Sequence, residues 1–236
     1  SNLILSLFLS PFIFYWFSYP EVDPDLWGHL FFGREILERG NLPSQNLYSY
    51  TAPEYPWINH EWLAEVVFYA LFRFLGSPGL ILLKVAVGGG IIWILDRCIR
   101  EKVPSLLVRT LTLVWIMAIL SPGFNIRPQL FTYLFFAVFL FLLYRYDGGK
   151  KATLYWAAPL MALWVNLHGG FAAGLGALGL FSFSVVLKGL RNRDMKPSVT
   201  QVLVPVIISG MALLLNPYGI NLLSFLARDL LLDRPI

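Results

Sequence analysis

Five short polar clusters interrupt an otherwise apolar chain, and their residue types suit acid–base and anion chemistry. They are Asp23-Pro24-Asp25 with His29 four residues on, Asn59-His60-Glu61, Asn125-Ile126-Arg127-Pro128-Gln129, Asn166-Leu167-His168-Gly169-Gly170 and Asn216-Pro217-Tyr218-Gly219. Asp25 stands at the expected N-cap of a helix running from Leu26 to Arg39. His29 follows at i+4 on the same face, so carboxylate and imidazole can act together. A partly desolvated aspartate at the mouth of a cavity is a general base toward a hydroxyl or amide. Arg127 offers a planar, five-donor fork that suits a phosphate. His168, between flexible neighbours, can donate to a second phosphate oxygen or help hold a metal. A base, an anion clamp and a groove open to lipid suggest group transfer from a phospholipid-like carrier.

The elements that must position these residues are apolar. The chain has 236 residues, 57% hydrophobic and only 14% charged, against roughly 45–50% and about 25% in ordinary soluble domains. With a mean hydropathy of +0.65, it cannot cover its own surface with polar groups. A soluble enzyme and a nucleic-acid reader are excluded, and an all-helical polytopic membrane protein is expected. Long apolar segments occur at Leu3–Phe17, Pro78–Leu95, Val103–Leu120, Pro128–Tyr144, Thr153–Val165, Phe171–Leu187 and Val199–Leu215. Most approach the about 17–25 residues that a spanning helix needs. Thr153–Val165 is short, and either borrows from its flanks or is a broken helix beside a cavity.

Glu61–Leu75 carries Glu65 and Arg73 and reads as an amphipathic helix lying in the interface, and Asn221–Leu232 is similar. The expectation is therefore about seven spans in a single module over 1–236, with residues 20–77 as one large first loop. Orientation follows from the basic residues. Loops 96–102, 145–151 and 188–198 hold Arg97, Arg100, Lys102, Arg145, Lys150, Lys151, Lys188, Arg191, Arg193 and Lys196, ten of the eighteen in the chain. That side is expected to be cytoplasmic. Lys84 and Arg109 fall inside spans, where charge is expensive. Gly88-Gly89-Gly90 and the Gly174/Gly176/Gly179 series read as close helix packing. The single cysteine, Cys98, has no partner for an internal disulfide.

On this topology all five polar clusters land on the extracytoplasmic face, and chance would scatter them. Each also has a plainer role. Asp25 can be only a helix cap and Glu61 only a first-turn acid favoured by the helix dipole. Arg127 can snorkel to head groups, and His168 can be a packing histidine. Trp27, Trp57, Trp62 and Trp164 suit an interfacial aromatic belt. Asn216-Pro217-Tyr218-Gly219 suits a helix stop.

Asp23-Pro24-Asp25-Leu26-Trp27-Gly28-His29, Gly33, Pro43, Ser49-Tyr50-Thr51 and Trp57-Ile58-Asn59-His60-Glu61-Trp62-Leu63 together carry a resemblance. The run is similar to the first extracytoplasmic loop of bacterial membrane-embedded glycosyltransferases of the GT-C fold. Arg127-Pro128-Gln129, Trp164 to Gly170 and Asn216 to Gly219 resemble later motifs of the same branch, so the likeness covers essentially the whole chain. It implies kinship with oligosaccharyltransferase catalytic subunits and protein O-mannosyltransferases, and a seven-helix module with two interfacial helices in its first loop. It further implies sugar transfer from a polyprenyl phosphate or pyrophosphate donor, with inversion. The acceptor would be a glycan, a lipid or a protein, outside the bacterial inner membrane. The implied base is Asp25 or Asp23, with Asp25 favoured and His29 in support. Arg127, Gln129, Asn166, His168, His60, Glu61, Asn216 and Tyr218 would bind substrate or shape its site. Some members hold a divalent metal, Mg or Mn. Where relatives often carry an Asp, Gln45-Asn46-Leu47-Tyr48 stands here, which removes one candidate ligand. The chain opens on Ser1 and stops at Arg234-Pro235-Ile236, so an N-terminal fragment of a longer protein is expected. Rival readings are a non-catalytic carrier-lipid binder or flippase, and a structural subunit of a membrane assembly.

Overall fold

The apolar segments form helices, and polar or irregular residues punctuate them. The structure is a computed structural model describing residues 2–21, 23–46, 48, 50, 56–191 and 196–231. Ser49 and Thr51 of the loop motif, Glu54, Arg193, the Arg234-Pro235-Ile236 end and the side chains of Lys196 and Asp229 lie outside the described residues. Among those described, nine α-helices occur: α1 (Asn2–Phe17), α2 (Leu26–Arg39), α3 (Trp62–Ile99), α4 (Leu106–Leu120), α5 (Gln129–Asp147), α6 (Ala157–Trp164), α7 (Phe171–Arg191), α8 (Lys196–Ala212) and α9 (Ile220–Leu231). No strand is found among them, only an isolated bridge between Gln45 and Pro56.

Four helical runs are long and apolar enough to cross a membrane: α3, Leu106–Gly123, α5 and α7. Gln201–Leu215 and Ile220–Arg228, bent by 92°, make a fifth if they form one span. Large apolar side chains such as Trp115, Leu180, Leu190 and Met211 face outward along these helices, as do Leu7 and Phe14 on α1. Exposed apolar surface on this scale is compatible with an integral membrane protein.

Two expected spans fall short in length. The 16 residues of α1 reach about 24 Å at 1.5 Å each. Thr153–Val165 divides into a 3-10 turn, Lys151–Trp156, and the eight-residue α6. Their rises add to about 24 Å, against a hydrocarbon core of about 30 Å. The turn runs directly into α6 through helical dihedrals at Trp156 and Ala157, so the segment is one short helix with a 3-10 start.

The expected Glu61–Leu75 helix is present as the first limb of α3, set apart from the Pro78–Leu95 segment by a kink at Gly76, whose φ 63° and ψ −157° are not helical. Only glycine adopts that backbone cheaply, and Pro78 lacks the N–H that would continue the first limb. A straight helix of 38 residues would measure about 57 Å, so the break divides a rod too long for one crossing.

The limb before the break carries α2. A Cβ on Gly33 would strike the Glu65 carbonyl oxygen and the Tyr69 side chain, so glycine lets α2 lie directly on α3. Leu26 and Leu30 are buried in this contact against Ala64 and Phe68. Two apolar clusters complete the fold, and α5 feeds both: Phe131, Phe135 and Phe139 in one, Leu130 and Ala137 in the other. The two intramembrane cations bind across helices. Buried Lys84 donates from Nζ to the Tyr19 carbonyl at 2.8 Å, and Arg109 Nε lies 2.9 Å from Asp96 Oδ1.

Replacing Gly33 with valine should therefore cost about 1–3 kcal/mol, the usual penalty of overpacking. Thermal unfolding of the detergent-purified chain reads this directly. Gly28→Ala, where no atom lies within 4 Å of the added carbon, serves as the control. Equal stability of the two variants would contradict the close approach.

Candidate functional site

The polar clusters meet where α1, α6 and α8 end and α3, α5 and α7 begin. Asp23 makes the turn into α2: its Oδ1 accepts from Asp25 N–H at 3.0 Å, and its carbonyl accepts from Leu26 N–H at 3.0 Å. Asp25 occupies the N-cap position, but its side chain caps nothing. It reaches instead to Arg127, where Oδ2 accepts from Nη2 at 2.8 Å. Arg127 Nε ion-pairs with Asp23 Oδ2. One guanidinium thus joins two carboxylates across a hundred residues of chain. Burial raises the Asp23 pKa, but the Arg127 bond, the Asp25 N–H and the charges of Arg127 and His29 outweigh it, leaving the carboxyl below its ordinary range. The Asp25 side chain stays 64% exposed.

His29 does not work with Asp25 as its spacing suggested. One turn along α2 its ring faces α3, and Nδ1 lies 3.2 Å from Glu65 Oε1. Asp25 precedes the first turn and points to α5, so the two side chains diverge. Glu65 is buried, and its Oε2 accepts from Asn59 Nδ2 at 2.5 Å. Glu65 is not among the site residues expected from the sequence. Its signal was available, since a carboxylate inside an apolar helix is costly unless it has a task.

Glu61, one turn before Glu65, meets two histidines: Oε1 lies 3.4 Å from His168 Nε2 and 3.7 Å from His60 Nε2. His168 is held from behind. The Gly170 backbone N–H donates to its Nδ1 at 2.9 Å, and Thr132 Oγ1 lies 2.9 Å from the same nitrogen. A backbone N–H can only donate, so Nδ1 accepts and the neutral ring carries its proton on Nε2, facing Glu61. Trp164 Nε1 donates to Thr132 Oγ1 at 3.0 Å. Trp164 is fully buried and is no belt anchor. Burial raises the Glu61 pKa to about 7, with His29 and Arg127 opposing the rise and Glu65 and Asp25 adding to it. Burial, with the charges of His60 and His29, lowers His168 to about 4.

Asn166, Asn216 and Tyr218, expected to bind substrate, form a latch instead. Asn166 Nδ2 donates to the Ala162 carbonyl at 2.7 Å and the Leu215 carbonyl at 3.4 Å, while its Oδ1 accepts from Trp62 Nε1 at 3.0 Å. Asn216 Nδ2 donates to the Val165 carbonyl and to Asn166 Oδ1, both at 3.1 Å, and its Oδ1 accepts from Tyr218 N–H at 2.9 Å. Tyr218 Oη accepts from Asn59 N–H at 3.2 Å and donates to the Pro43 carbonyl at 3.3 Å. The two buried amides have no donor left for a ligand. Their motif is a helix stop, and Gln129 is exposed at the first turn of α5.

The latch supports an open cavity of about 390 Å³ lined by Asp25, His29, Asn59, His60, Glu61 and Glu65. A divalent metal does not fit this donor set. No group of three or more His, Cys, Asp or Glu able to hold one occurs among the described residues, and Arg127 occupies the cation position between Asp23 and Asp25. No protein-family model, curated protein or solved structure matches this chain.

The Glu61–His168 pair should leave a signature in stability. The folded Glu61 value lies above the ordinary 4.5, so its contribution is present at acid pH and is lost as pH rises to about 7. The folded His168 value lies below the ordinary 6.5, so its contribution is present at neutral pH and is lost as pH falls to about 4. The two slopes oppose. In Glu61→Gln, thermal stability should rise with pH across the His168 window; in His168→Gln it should fall across the Glu61 window. Flat profiles in both variants would refute the opposed shifts.

Proposed function

We propose that this chain is a membrane glycosyltransferase module, transferring a sugar from a polyprenyl phosphate or pyrophosphate carrier to an acceptor on the extracytoplasmic side. One observation carries the reading: the Asp25–Arg127 pair forms a lip between two different surfaces. On one side lies the polar cavity, lined by Asp25. On the other lies a groove lined by Pro20, Leu26, Trp27, Leu30, Leu80 and Ile126. Leu26 and Ile126 are the chain neighbours of Asp25 and Arg127. A ligand with an apolar tail, an anionic head and a hydroxylated end would thread groove, lip and cavity in that order.

The ion pairs suggest how the donor engages. Arg127 Nε is tied to buried Asp23, whereas the bond from Nη2 ends on exposed Asp25. A donor phosphate would take the Nη2 side of the fork and release the Asp25 carboxylate. Asp25 then accepts the proton of the acceptor hydroxyl. The acceptor oxygen forms its bond to the sugar carbon from the face opposite the carrier, which inverts that carbon. The carbon–oxygen bond to the phosphate breaks, and its electron pair leaves on the phosphate held by Arg127.

The proposed topology keeps seven membrane segments, with α2 and the first limb of α3 lying in the outer interface of a bacterial inner membrane. The short α6 would sit within the bundle, where neighbouring helices satisfy its ends, and α1, whose Leu7 and Phe14 face outward, would cross at the edge. Unmodified Asp23 keeps Arg127 oriented when Asp25 lets go.

Native mass spectrometry of the purified chain identifies lipids that stay bound. A polyprenyl-linked sugar is expected in wild type and in Asp25→Asn, and its loss is expected in Arg127→Ala. Given that donor, Asp25→Asn should slow transfer about 10²- to 10⁴-fold, the usual weight of a general base. Wild-type turnover in a folded Asp25→Asn protein would overturn the base assignment and leave a carrier-lipid binder or flippase. Retention of only bulk phospholipid would overturn the donor.

A further inference from the structure

A second carboxylate opens on the cavity at which Asp25 works, and the transfer step does not use it. Glu61 is 21% exposed on its side chain, so one edge meets the cavity and the rest is enclosed. Its Oε1 faces His168 Nε2 at 3.4 Å and His60 Nε2 at 3.7 Å. The His168 ring cannot turn over without losing the Gly170 N–H and Thr132 contacts at Nδ1. Thr132 is fixed in turn by Trp164. Side chains from the α3 entry, α5, the end of α6 and the turn into α7 are committed to holding one carboxylate oxygen. A first-turn acid favoured only by the helix dipole requires none of this.

Resting on the reading of this cavity as a glycosyl-transfer site, we infer that Glu61 receives the proton released by the acceptor, with His168 as its positioning residue. The acceptor O–H proton goes first to the Asp25 carboxylate, as the new carbon–oxygen bond forms and the old one leaves with its pair on the carrier phosphate. It then crosses the cavity to Glu61 and passes to solvent, which returns Asp25 to its ionised form. The charge balance is that of the transfer step alone, with no further reactant.

The groups facing Glu61 are His60 beside it, Glu65 one turn on in α3, His29 on α2, Asp25 before α2, Arg127 before α5 and His168 before α7. Burial above all, with Glu65 and Asp25 adding and His29 and Arg127 opposing, pushes its carboxyl up to about 7. A group poised there takes up and gives back a proton at little cost in either direction. His168 brings its Nε2 to 3.4 Å from Glu61 Oε1, a contact that would favour the ionised form of Glu61 once the proton has left.

Infrared titration of the full chain in lipid nanodiscs, between about pH 5 and about pH 9 to bracket carboxylate and imidazole, tests this without substrate. A protonated-carboxyl band should vanish with a midpoint near 7 and be missing from Glu61→Gln. The midpoint should move upward in His168→Leu and return toward wild type in His168→Gln, which restores an N–H donor. Steady-state transfer should show an acid limb at the same midpoint. Glu61→Gln should abolish that limb and lower kcat about 10- to 100-fold, and Glu61→Asp should keep it in part. A Glu61 ionised throughout, or an acid limb unchanged in Glu61→Gln while sugar is still transferred, overturns the role of Glu61 alone. A titrating Glu61 in a chain that transfers no lipid-linked sugar overturns the donor reading and the proton-transfer role with it.

Discussion

An unpaired charge among apolar helices costs several kcal/mol, and that cost decides how this chain is joined. Lys84 on α3 ends on the Tyr19 carbonyl just after α1. Arg109 on α4 ends on Asp96 of α3. Arg127 before α5 ends on Asp23 and Asp25 before α2. Glu65 on α3 ends on His29 of α2 and Asn59 of the loop. Each pairing crosses between elements, so satisfying the charge also fixes a helix. The apolar clusters supply most of the burial, but they are non-directional. The polar links choose which helix end meets which.

The same constraint gives the candidate site two characters. In the latch every donor of Asn166 and Asn216 is used, and a fully satisfied buried network is rigid. Across the cavity, Glu61 and His168 are enclosed with no ion of fixed charge in contact among the described residues, so each is pushed toward its neutral form. A saturated frame thus holds a titratable pair. Asp25 differs from both, being exposed and bound to Arg127 by its outer contact.

Helical class and the membrane-compatible segments were legible because they depend on composition and length, which tertiary contacts do not alter. The gathering of the five polar clusters was legible as well, because helices of alternating direction put every second loop at one end. Pair assignments were not. Spacing put His29 beside Asp25, but the face that carries His29 is the face that Gly33 lays on α3, so its partner is Glu65. Asn166 and Asn216 read as ligand-binding amides because residue type does not say whether an amide is already satisfied. Trp164 read as an interfacial anchor because it stands at a helix end, and that end is buried under α7 and α5. The division of α3 at Gly76 was legible, because the glycine and proline that shape the kink punctuate the sequence there.

The latch asparagines also account for where the chemistry gathers. A helix that stops inside an apolar bundle leaves carbonyls with no water to receive. Here α6 stops at Trp164, and the 3-10 turn Leu213–Leu215 that follows α8 stops close to it. The amides of Asn166 and Asn216 answer the carbonyls of Ala162, Val165 and Leu215. With those carbonyls satisfied, the two chain breaks are stable side by side, and the turn after α6 can bring His168 inward to Glu61. A continuous α6 would carry residue 168 about 6 Å further along its axis, away from Thr132 and the Gly170 N–H that set its tautomer. The places where these two helices stop are what put a histidine and a carboxylate face to face.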